Sequence, residues 1–108
     1  MTQEALKLGE TYYTVFFAQN SPMTEPIIET VIYIGRADSH ELPLEHVFQT
    51  ARSFHKFGNW NEMSEVQRNE FPIAPLLSFD ANNLEPLFDS TGLIEEIKDA
   101  QSRRQTDF

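Results

Sequence analysis

The residue types nearest to metal chemistry lie in the run SHELPLEH, residues 39–46, which holds two histidines and two glutamates. A helical zinc hydrolase needs two histidines four residues apart on one helix face, with a glutamate beside the first. His40 and His46 stand six apart with Pro43 interrupting any helix between them, so the two imidazoles do not aim at one ion. His46 and His55, nine apart, would differ by about 180° around a helix and face opposite ways. No metal or other cofactor is expected. The chain has no cysteine, which removes disulfides, thiolate nucleophiles and thiolate-held zinc or iron–sulfur groups.

Nucleophilic catalysis is equally poorly supported. Serines, histidines and acids are present, but residue types without a spatial arrangement specify nothing. The chain lacks a G-x-S-x-G elbow, a phosphate-cradling loop and a dinucleotide fingerprint. Glu95 and Glu96 are neighbours on a solvent-facing helical arc, where carboxylates keep ordinary acidity. With no catalytic motif, an enzyme is not expected.

Charge and aromatic residues carry the remaining signal. Seventeen acidic side chains against eight basic ones give a net charge of −9. Duplex DNA carries a charge every ~1.7 Å and needs a clustered positive face, so direct nucleic-acid binding is not expected. The densest acidic stretch holds Asp80, Glu85, Asp89, Glu95, Glu96 and Asp99, with Lys98 as the one counter-charge among residues 80–99. Projected from one face, such carboxylates attract a basic protein, as an inhibitor, immunity or adaptor protein requires. Glu95, Glu96 and Asp99 are the candidate contacts for such a basic partner.

The stretch SFHKFGNWNEM, residues 53–63, places Phe54, Phe57 and Trp60 at every third position around Gly58. Phe54 continues a helical stripe, and Phe57 and Trp60 are expected to fold back over the last turn of that helix. The alternative reading has Tyr33, Phe57 and Trp60 roofing a small-ligand pocket between a hairpin and this helix.

The elements that must position these groups follow from periodicity. A length of 108 residues with 40% hydrophobic content suits one domain with one core. Alternating aromatic and β-branched residues predict strands over about 10–19 and 27–35, paired as an antiparallel hairpin with Pro22 and Pro26 in the connection. In the first strand Tyr13, Val15 and Phe17 share one face and Tyr12, Phe16 and Ala18 the other. In the second, Ile28, Ile32 and Ile34 are expected to face the core, and Glu29, Val31 and Tyr33 the opposite side.

After a polar bend over 36–43, Pro43 suits a first helical turn, and Leu44, Val47, Phe48, Ala51 and Phe54 follow at helical spacing. The pattern predicts a helix over about 44–57, with Gln49 toward solvent and Gly58 in a left-handed stop. Ser64 and Gln67 have capping-box spacing for a short helix. A Pro-containing edge strand is expected over about 73–79, and a terminal helix over about 91–103 capped by Ser90 or Thr91. Residues 1–8 and 104–108 are expected to fray.

Taken together these readings describe a small acidic α+β domain of order β-β-α-α-β-α. With neither an apolar run of membrane-spanning length nor a secretory leader, a cytoplasmic location is expected.

Overall fold

Alternating apolar residues do form the first two strands. In the computed structural model, which describes residues 1, 3–17, 26–39 and 42–106, strand β1 spans Thr11–Phe17 and β2 spans Pro26–Ser39. They pair antiparallel from Thr11 opposite Ile32 to Phe17 opposite Pro26. Pro26 therefore opens β2 instead of sitting in the connection. Pro22, Ala18 and the rest of residues 18–25 lie outside the described residues.

The third strand, β3, spans Leu42–Thr50 and pairs antiparallel with β2, from Val31 opposite Thr50 to Ser39 opposite Leu42. This corrects the expected helix over 44–57, of which only α1, Ala51–Phe57, is helical. Val47 and Phe48 are adjacent apolar residues because β3 carries packed side chains on both faces, and two-sided burial imitates helical spacing. Valine, phenylalanine, histidine and threonine are also weak helix formers. Pairing with the long β2 satisfies their backbone instead. The polar bend shrinks accordingly, and His40 and Glu41 between the two strands lie outside the described residues.

The helix α1 ends at Gly58, with φ 88° and ψ −176°. The stop has the expected positive φ, but the chain leaves it extended rather than in a left-handed turn. This combination is nearly exclusive to glycine. A 3₁₀ turn over Trp60–Glu62 and a short helix α2, Glu65–Asn69, follow. Ser64 Oγ accepts from the Gln67 amide and Gln67 Oε1 from the Ser64 amide, forming the expected capping box.

Strand β4, Leu76–Asp80, pairs antiparallel with β3, and the two-residue β5, Leu87–Phe88, pairs with β1. The terminal helix α3 spans Ser90–Thr106. The result is an α+β fold whose open antiparallel sheet has the order β4-β3-β2-β1-β5. The strand expected over 73–79 is an edge strand, but it starts at Leu76, so Pro75 precedes it instead of lying within it, and β5 is an addition. Among the described residues no helix is long and apolar enough to cross a membrane.

Register places Tyr12, Val31, Tyr33 and Phe48 on one face, joined there by Leu84 and Leu87 and flanked by Met1, Leu6, Leu77 and Phe79. This is the main core, so the Val31/Tyr33 face is its centre and not the Ile28/Ile32/Ile34 face. Ile32 and Ile34 are nevertheless buried on the opposite side, whereas Ile28 is exposed. The leading segment packs here as well. Tyr12 Oη accepts from the Lys7 amide at 2.8 Å and donates to the Ala5 carbonyl at 3.1 Å, while the Gly9 amide and Glu10 carbonyl pair with Tyr33.

Phe48 is the hub of this core. Its ring lies 6.0 Å from Tyr12, 5.1 Å from Tyr33 and 5.8 Å from Phe79. Phe48→Ala should lower stability by about 3–5 kcal/mol, as for truncation of a buried aromatic. Phe57→Ala, at a side chain 52% exposed, should cost far less. Chemical denaturation compares the two, and equal small losses would contradict this placement of the core.

Candidate functional site

The acidic surface is carried by α3, so its geometry begins with the cap. Asp89 Oδ1 accepts from the Gly92 amide at 2.8 Å, making Asp89 the N-cap in place of Ser90 or Thr91. A Cβ at Gly92 would stand 3.2 Å from Phe88 Cδ1. Glycine thus lets the first turn lie directly on β5. Ala100 is buried, with Leu93 and Ile97 half-buried on the same side.

Arg103 fixes the far end of α3. Its guanidinium lies 5.3 Å above the Phe17 ring, and its Nη2 is 3.5 Å from Glu96 Oε1. Glu96 is therefore turned inward and half-buried. Glu95 and Asp99, one turn apart, remain exposed, as do Lys98 and Ile94, the last 53% exposed. Of the three candidate carboxylates, two share the open arc and one is engaged at its edge. Asp80 and Glu85 lie before α3, where Asp80 Oδ1 accepts from the Asn82 amide in a turn.

The aromatic candidates are divided between the two faces of the sheet. Tyr33 is buried in the main core against Phe48. Trp60 lies on the opposite side, its amide donating to Oε1 of Gln49, whose partner across the sheet is Ile32. Strand alternation sends Tyr33 to the face opposite Trp60, so the structure does not bring Tyr33, Phe57 and Trp60 together. Phe57 and Trp60 meet at Phe71, 5.1 and 5.6 Å away. Arg68 braces this cluster by donating twice to the Trp60 carbonyl, at 2.9 and 3.1 Å, with its guanidinium 5.4 Å over the indole. An open groove of about 520 Å³ lies elsewhere, between Ile28 and Thr30 of β2 and Ala51 and Arg52 of α1.

Two of the buried polar residues lie on β3. Gln49, expected in solvent, is fully buried, and His46 is 1% exposed. Tyr33 Oη and His46 Nδ1 share a hydrogen bond of 2.7 Å. Strand alternation places His46 and Phe48 on the core face, a signal masked by the helical spacing of the same residues. Among the described residues, no three histidine, aspartate or glutamate side chains are grouped to hold a metal.

No family model, curated protein or solved structure matches the chain.

Burial holds the His46 imidazole pKa below its usual 6.5, and the Arg36 guanidinium adds to the effect. The unfolded chain binds this proton more readily than the folded one. The stability gained from neutral His46 is therefore full above about pH 6.5 and is lost as pH falls below it. Wild-type protein should lose stability between about pH 7.5 and about pH 5.5, and His46→Gln should flatten that loss. Denaturation midpoints at both values measure it; identical pH slopes for the two proteins would contradict the assignment.

Proposed function

We propose that this protein is an acidic protein-interaction module, of the inhibitor, immunity or adaptor type, that meets a basic partner with the outer arc of α3. The observation that carries this reading is the exposure of Glu95 and Asp99 one turn apart beside the exposed Ile94, on a chain of net charge −9. The carboxylates supply attraction over roughly a Debye length, about 8 Å at physiological salt. Ile94 supplies apolar contact once water is excluded. Glu96 contributes less because Arg103 already neutralises it at close range. The same field repels nucleic acid, which favours a protein as the partner.

The test combines charge and salt. Glu95→Gln with Asp99→Asn removes the exposed pair and leaves the Glu96–Arg103 contact intact. The fold should persist, with a stability change within about 0.5 kcal/mol, as for surface sites. In affinity capture from the native cell extract, the reading expects a basic protein held by wild type at low salt, released at high salt and absent from the double variant. Capture of the same proteins by both forms, or a salt-insensitive complex, would contradict docking through α3.

A further inference from the structure

Strand β4 closes one side of the sheet, with no strand paired along its outer edge among the described residues. The other edge strand, β5, is two residues long and leads directly into α3. We propose that β4 pairs antiparallel with β4 of a second copy of this chain, about a two-fold axis through Ser78.

The direction of the backbone groups sets the register. Thr50 donates its amide to the Pro75 carbonyl at 3.0 Å, so Pro75 points its carbonyl toward β3. Alternation then turns Leu77 and Phe79 toward β3, and Leu76, Ser78 and Asp80 outward. The Asp80 carbonyl is already engaged, accepting from the Asn83 amide at 2.8 Å. What the edge offers is the Leu76 and Ser78 backbone and the Asp80 amide. This set is complementary to itself: Ser78 amides donate to Ser78 carbonyls across the axis, and each Asp80 amide donates to the Leu76 carbonyl of the other copy.

Side chains agree with that register. Leu77 and Phe79 share the core face and are only partly buried, flanking the Phe48 cluster. In the dimer each Leu77 stands opposite Phe79 of the second copy, so two half-covered apolar pairs cover one another. Of the devices that protect natural edges, LLSFD has no lysine, proline or bulge, only one charge. Its single charge, Asp80, falls opposite Leu76 and not opposite its own copy. Four residues at ~3.4 Å each keep the two Asp80 side chains roughly 14 Å apart, beyond the screening length. A second copy supplies this match by symmetry.

Sedimentation of the full chain from low micromolar to millimolar concentration, with amide hydrogen exchange over the same range, decides the matter. The expected result is a concentration-dependent dimer in which the Ser78 and Asp80 amides gain protection, while those of Leu77 and Phe79 are protected throughout. Ser78→Pro should abolish the dimer, since the amide it removes faces outward. Ser78→Glu keeps that amide, places like charges directly opposite each other and should weaken the dimer at least tenfold; it decides the case if the proline variant fails to fold. A monomer throughout, a dimer whose Ser78 exchange is independent of concentration, or a Ser78→Glu dimer as tight as wild type would overturn the proposal. Protection of Ser78 by an added extended peptide, without self-association, would assign the edge to a foreign strand and overturn it as well.

Discussion

The side-chain amide of Gln49 connects the sheet to the helical segment that follows it. Its Nε2 donates to Ser53 Oγ at 3.2 Å and to the Gly58 carbonyl at 3.0 Å, and its Oε1 accepts from the Trp60 amide at 2.8 Å. One buried group thereby satisfies both sides of the α1 stop. A carboxamide suits the site, because Gly58 presents an acceptor and Trp60 a donor. An aliphatic side chain would leave both backbone groups unpaired, and a carboxylate could not donate to Gly58. The contact ties Gly58 and Trp60 to the sheet just before the chain enters α2. Arg68 then closes the loop onto the Trp60 carbonyl, and Asn61 Nδ2 reaches the Ile34 carbonyl at 2.9 Å.

With this attachment on one face and the Phe48 cluster on the other, the central strands are buried on both sides. That is why β2 holds Val31, Ile32, Tyr33 and Ile34 in succession. The arrangement leaves the acidic helix at the β1 side and an open strand at the β4 side. The two proposed surfaces lie on opposite sides of the sheet order, so a dimer through β4 leaves α3 available to a different partner.

The hairpin, the capping box of Ser64 and Gln67, the edge position of β4 and the positive φ of Gly58 were legible because each rests on local chemistry. β3 was not, because Val47 and Phe48, apolar neighbours in a strand covered on both faces, also fall at helical spacing with Leu44 and Ala51 in the sequence. On a helix over 44–57 Gln49 would face solvent, whereas on β3 it is buried. The choice of core face in β2 was ambiguous for the same reason, since isoleucines lie on one side and Val31 and Tyr33 on the other. Two-residue β5 is too short to have a period. In α3, the exposure of Glu95 and Asp99 follows from helical geometry. The inward turn of Glu96 does not, because it depends on Arg103 lying over Phe17, a residue from the other end of the chain.

The most direct test of this account is Gln49→Met, which approximates the side chain's length and removes its hydrogen bonds, followed by amide exchange at Trp60 and the emission of this single tryptophan. Leaving the Trp60 amide and Gly58 carbonyl unpaired should cost about 2–3 kcal/mol. It should also speed exchange of the Trp60 amide and shift indole emission to longer wavelength while the Phe48 core remains folded. An unchanged unfolding midpoint with unchanged Trp60 protection would contradict the claim that this amide holds the helical segment to the sheet.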